Sequence, residues 1–159
     1  MRTRTACLAL VSAALAGFTA PAHAVPITYT ETATATGFLD GTPFANALVT
    51  ITVTGDTAAA PSGVNFQFYP LPGATVTVAG FGSDSLLHSE LFVNQVSTPT
   101  ATVGFADSTG PLSILDTFNT AFSTYTLNTA IGPTLGAPFI DSALIAATAH
   151  GHLSFDHFR

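Results

Sequence analysis

The sequence contains no lysine and no tryptophan, and its only basic residues are Arg2, Arg4 and Arg159. Phosphate neutralisation needs clustered Lys and Arg, so nucleic-acid binding is excluded as a main task. Charged residues make up 8% of the 159 residues, against roughly 25% in an ordinary soluble domain. Hydrophobic residues make up 47%, enough to build a core, which argues against disorder. There is one cysteine, Cys7. After residue 24 no apolar run approaches the ~20 residues that span a bilayer.

What the N-terminus does have is an export pattern. Arg2 and Arg4 precede a small, apolar run from Cys7 to Phe18, and Ala22-His23-Ala24 provides an A-x-A cleavage site behind Pro21. The run is too short for a membrane anchor. Cys7 precedes it, whereas a lipid-attachment cysteine follows such a run. The expectation is a signal peptide over 1–24, cleaved to release a secreted, extracellular domain over 25–159. Cleavage removes the lone cysteine, so no disulfide can form even where disulfides are permitted. The remaining nine acids face Arg159 alone, a net charge of −8 with His neutral. That charge favours solubility and disfavours anionic membranes.

The dominant pattern beyond residue 24 has period two. Val49, Ile51 and Val53 alternate with Thr50, Thr52 and Thr54. Val64, Phe66 and Phe68 alternate with Asn65, Gln67 and Tyr69, and Val76 and Val78 with Thr75 and Thr77. Successive strand side chains point to opposite faces, so each run predicts a half-buried strand. Asp40-Gly41, Gly55-Asp56, Pro61 to Gly63, Pro70 to Gly73 and Gly80 to Gly82 read as turns. Strands are expected over 26–36, 46–54, 64–69, 74–79, 86–95, 101–106, 122–128, 137–149 (as one piece or two) and 152–158. Within Pro111–Phe122, Ile114, Leu115, Phe118 and Phe122 take i, i+1, i+4, i+8 spacing, the stripe of a short helix. The fold class is therefore all-β, an antiparallel β-sandwich or jelly-roll-like domain with one short helix near 111–122.

Chemistry is sparse. No G-x-S-x-G elbow exists, and no spacing ties a serine and a histidine into a triad. His150-Gly151-His152, with Asp156 and His157, has zinc-capable ligand types; on a strand His150 and His152 would share a side. The alternative is the polar face of a terminal strand. Asp40, Asp56, Asp84, Asp107, Asp116 and Asp141 are single acids, which suits turn stabilisation better than calcium. Glu31 and Glu90 are the only glutamates and could pair for glycoside hydrolysis if a pocket held both. Gly80-Phe81-Gly82 lacks the third glycine of a dinucleotide loop. Most phenylalanines fall on apolar phases and read as core, and the Thr-x-Thr runs as ordinary solvated faces. A flat ice- or sugar-binding face is the special case of the latter. No catalytic, cofactor-binding or metal-ligating residue is assigned, and no cofactor is expected.

Several stretches resemble uncharacterised exported bacterial proteins of the PEP-CTERM-associated type: Gly37–Phe44, Ala47–Thr50, Thr54–Thr57, Gly104-Phe105, Ile114–Phe118, Tyr125 with Leu127, and Ile131–Pro133 with Gly136. They are turn and core residues spread over most of 25–155. The resemblance implies an exported protein associated with the cell surface or matrix, and carries over no catalytic residue. The chain departs from that group at Phe155–Arg159, which has no Pro-Glu-Pro, apolar helix or basic cluster. A freely secreted relative and an early-ending reading frame both fit that departure. The expected function is a non-enzymatic exported protein of the cell envelope or extracellular matrix, acting in adhesion or assembly through an exposed sheet edge or the Thr-rich face. Its expected partners are an extracellular polysaccharide or an envelope protein. The alternatives are a small secreted jelly-roll hydrolase or lyase acting on glycans, with a pocket holding Glu31, Glu90 or the C-terminal histidines, and a truncated inactive product.

Overall fold

The computed structural model describes residues 25–63, 65–96, 101–110 and 112–156. The segment read as a signal peptide lies outside them. Among the described residues eleven strands form two antiparallel sheets. In chain order they are β1 (Pro26–Leu39), β2 (Thr42–Asp56), β3 (Phe66–Pro70), β4 (Thr75–Val78), β5 (Gly82–Ser85) and β6 (Ser89–Asn94), followed by β7 (Ala101–Asp107), β8 (Ser113–Asn119), β9 (Ala137–Phe139), β10 (Ile145–Ala147) and β11 (His152–Phe155). One sheet has the order β10-β11-β1-β2-β4-β5, the other β3-β6-β7-β8-β9. Their facing sides share one apolar cluster that includes Val49, Ile51, Val76, Leu91, Phe105 and Leu115. This is the sandwich that period-two alternation predicts. Among the described residues no helix is long and apolar enough to cross a membrane.

The longest unit is the β1–β2 hairpin. Its two-residue turn puts Asp40 at φ 52° and Gly41 at φ 79°. Positive φ at both positions gives the twist that suits a tight hairpin, and Asp-Gly adopts it readily. Further along, Gly37 pairs with Phe44 while Ala35 pairs with Ala47, so β2 carries one extra residue. Asn46 absorbs it at φ 50°, its N–H bonded to Thr36 Oγ1 at 3.1 Å. The bulge changes the phase of the strand. Both Phe44 and Ala47 therefore enter the core although they are an odd number of residues apart.

The same device corrects the expectation of a helix over 111–122. Phe105 pairs with Leu115 and Ala106 with Ser113, leaving Ile114 as the extra residue in β8. Ile114 and Leu115 both enter the core. Two adjacent inward residues imitate a helical i, i+1 spacing in the sequence. The segment is strand Ser113–Asn119, running into a one-turn 3₁₀ helix, Thr120–Thr124, capped by Asn119 Oδ1 on the N–H of Ala121 at 2.7 Å. Phe118 faces away from the core, in edge-to-face contact with Phe139 at 6.4 Å.

Other boundaries also move. The strand expected over 122–128 is the end of the 3₁₀ turn and irregular chain. Gly82–Ser85 is a strand of its own, and the strand expected from 86 begins at Ser89. The 137–149 stretch splits into β9 and β10, which belong to different sheets. Beyond β5, Leu86 bridges Thr148, and the N–H of Ala149 reaches Ser85 O at 3.0 Å. The edge strands β5 and β10 thus meet at one end, and the six-stranded sheet curls into a half-barrel.

Candidate functional site

Between β1, the inner face of the second sheet and the 130–136 loop lies a cavity of about 550 Å³. Its walls include Tyr29, Leu91, Val103, Phe105, Phe122 and Tyr125. Glu31 opens into it from β1. On that strand the threonines at 28, 30, 32 and 34 face out, and Tyr29, Glu31, Ala33 and Ala35 face in. Glu31 is thus an acid on the apolar phase, opposite the fully buried Ile51. Thr117, on the inward phase of β8, donates its hydroxyl to Glu31 Oε1 at 2.6 Å. Burial holds the Glu31 carboxyl well above the ordinary range; the Thr117 hydrogen bond opposes this, and the Asp116 charge adds to it. A carboxyl losing water without gaining a cation keeps its proton more tightly.

Hydrogen bonds to backbone carbonyls fix the aromatic walls. Tyr29 Oη donates to Leu127 O. Gln95 Nε2 donates to Phe122 O at 3.2 Å and to Tyr125 O at 2.7 Å, tying both rings to the end of β6. Burial also raises the Tyr29 and Tyr125 phenols, so both stay neutral at ordinary pH. The 130–136 loop forms the rim, with Leu135 92% exposed.

The other expected candidates are not in this cavity. Glu90 alternates with the wall residue Leu91 and so lies on the far face of the second sheet, its carboxyl raised by burial and by Asp107. Glu31 and Glu90 are therefore separated by the sheet, and the two-carboxylate arrangement of a glycosidase is not formed by them. His150 is not on a strand with His152; it sits in the β10–β11 bend. Its Nδ1 meets Asp84 Oδ1 at 3.0 Å, and its N–H donates to Asp84 Oδ2 at 2.9 Å. Burial pushes the Asp84 carboxyl up. The His150 ring, the N–H groups of His150 and Ser85 and the Thr148 hydroxyl outweigh that and hold it well below the carboxylate range. The His150 imidazole is raised in turn, first by its hydrogen bond to Asp84 and then by that residue's charge. His157 lies outside the described residues. Among the described residues no three His, Cys, Asp or Glu side chains gather into a metal-binding group.

Most single aspartates serve turns. Asp56, Asp107 and Asp141 each accept from an N–H two residues on, at 2.8–2.9 Å. Asp40 accepts the Thr148 hydroxyl at 2.5 Å. Asp116 is different. It is 5% exposed, and among the described residues its Oδ1 and the Ser113 Oγ are buried without a hydrogen-bond partner. Burial pushes the Asp116 carboxyl up to about 7.

The outer faces of the two sheets contrast. On the six-stranded sheet, Thr30, Thr52, Thr75 and Ser85 form one cross-strand row, and Thr32, Thr50, Thr77 and Ser83 the next. Rows of this kind repeat at about 6.7 Å along a strand and about 4.8 Å across the sheet. On the five-stranded sheet the row runs Phe68, Phe92, Gly104, Asp116, Phe139. Phe66 and Phe68 stand with ring centroids 4.5 Å apart and are 46% and 42% exposed; Phe139 is 46% exposed. The expectation that most phenylalanines are core is corrected here. Phe38, Phe66, Phe68 and Phe139 are exposed because period-two alternation does not say which phase faces in, and Phe81 is exposed in the turn between β4 and β5. No family model, curated protein or solved structure matches this chain.

Proposed function

We propose that the chain is a non-enzymatic exported protein of the cell envelope or extracellular matrix. It acts in adhesion and assembly by holding a neutral polysaccharide against the phenyl face of the five-stranded sheet. The observation that carries this reading is the exposed Phe66–Phe68 pair backed by Phe92, with Phe139 at the other end of the same row. Exposed phenyl groups gathered on one sheet are unfavourable in water, and such patches mark interaction surfaces. The C–H faces of a sugar ring pack on the electron-rich face of a phenyl ring. The low charge and the acidic balance favour a neutral polymer over an anionic one. The open edge strands β3 and β9 flank the same face and offer backbone groups to a further chain.

The hydroxyl rows of the other sheet support a second reading, in which an ordered hydroxylated surface is held there instead. Co-sedimentation with cellulose, starch granules and isolated envelope material tests both. Phe66→Ala with Phe68→Ala is expected to weaken polysaccharide binding at least tenfold, and Thr52→Val with Thr75→Val to leave it unchanged. The reverse ranking would move the site to the hydroxyl face. No binding by the wild type, together with turnover of a glycan or ester, would replace adhesion by hydrolysis. For export, mass spectrometry of culture supernatant is expected to find a chain beginning near Val25.

A further inference from the structure

The interior pocket has no part in surface adhesion, yet it is built. It combines a mostly apolar wall, four aromatic rings (Tyr29, Phe105, Phe122 and Tyr125) and one carboxyl. The Thr117 hydroxyl engages one oxygen of that carboxyl, Oε1. Nothing on the surrounding elements neutralises it: β1 contributes Tyr29, β2 Ile51, the second sheet Leu91, Val103, Phe105 and Thr117, and the chain after the 3₁₀ turn Tyr125. The other charge felt at Glu31 is Asp116, of the same sign. The chain has no lysine, and no arginine lies among the described residues.

Three features select the ligand's chemistry. The Glu31 carboxylate repels an anion and attracts a cation. The faces of aromatic rings do the same, more strongly where water is excluded. A volume of about 550 Å³ falls within the range of roughly 300–1,000 Å³ that takes a small molecule. We propose that this pocket binds an apolar molecule carrying one ammonium group, which pairs with Glu31 while the hydrocarbon body lies against the aromatic and aliphatic wall. Binding expels the proton that burial keeps on Glu31, so affinity rises with pH until the free pocket has itself ionised.

Isothermal titration with naphthylethylamine and its neutral isostere naphthylethanol, over pH 5–8 and in two buffers of different ionisation enthalpy, tests this. The amine is expected to bind at least tenfold more tightly than the alcohol at the upper end, with proton release on binding. Glu31→Gln is expected to abolish the preference while leaving alcohol binding intact. Thr117→Val removes the hydrogen bond that favours the charged carboxyl, so it is expected to move the pH midpoint of amine binding upward. This second variant keeps the test decisive if the first does not fold. Equal binding of amine and alcohol, a preference that survives Glu31→Gln, or binding of neither compound would each overturn the proposal. Because the phenyl face is on the opposite side of the sheet, polysaccharide binding stays unchanged in both variants whichever way the amine result falls.

Discussion

Glu31 occupies a position that alternation reserves for an apolar side chain, and it has one hydroxyl for company. Because folding raises its pKa, both states hold the proton at low pH. As pH rises past the ordinary carboxylate range, the unfolded chain releases its proton first. Stability is therefore lost as pH climbs toward the folded value. Thermal melts from pH 4 to 8 are expected to show the wild type losing ground to Glu31→Gln as pH rises; parallel curves would count against this account. A second single-residue demand falls on Gly37. A Cβ there would lie 2.1 Å from Ser154 O and 2.9 Å from Phe155 Cα, so only glycine lets β11 approach β1. Gly37→Ala is expected to cost about 1–3 kcal/mol, read as a lower urea midpoint.

At the scale of elements, the two bulges decide which side chains face in. Ile114 and Leu115 are both buried because the ladder slips by one residue between them and β7. Truncating either to Ala is expected to cost about 2–5 kcal/mol, as for other buried aliphatic groups. Phe118→Ala, on the outer face, is expected to cost about 1 kcal/mol. Had the segment been a helix with Phe118 on its buried stripe, the Phe118 variant would rank with the other two; urea denaturation separates the cases. The slip was not legible in advance because a bulge is a relation between two strands. In one strand's sequence it shows only as a broken period.

For the molecule as a whole, the curl of the six-stranded sheet is secured where β5 meets the β10–β11 bend, by Leu86 opposite Thr148 and by Asp84 with His150. The depressed Asp84 stabilises the fold above its unfolded pKa and loses that contribution as pH falls through the folded value. The raised His150 stabilises it below its unfolded pKa and loses that contribution as pH rises through the folded value. Both are present together between roughly pH 4 and 6.5, the ordinary carboxylate and imidazole values. The difference in melting temperature between the wild type and His150→Ala is expected to be greatest in that window and to shrink on either side. A difference independent of pH would mean that the ring contributes packing alone. The sequence shows His150 beside zinc-capable neighbours and gives no sign of Asp84, its partner in the fold, which is 66 residues away.

Alternation of Thr with Val, Ile and Ala, and turn residues such as Asp40-Gly41, were enough to predict an antiparallel two-sheet protein, because strand phase and tight turns depend on neighbours in the chain. The odd placement of Glu31 among Tyr29, Ala33 and Ala35 was visible at the same level, though its meaning was not. A glutamate on an apolar phase becomes a pocket carboxyl only when Thr117, 86 residues away, is folded against it. Which phenylalanines face water, where β8 slips, and how β5 comes to touch the β10–β11 bend follow from contacts between remote segments. Those depend on how the two sheets stack and close, and no local pattern encodes them.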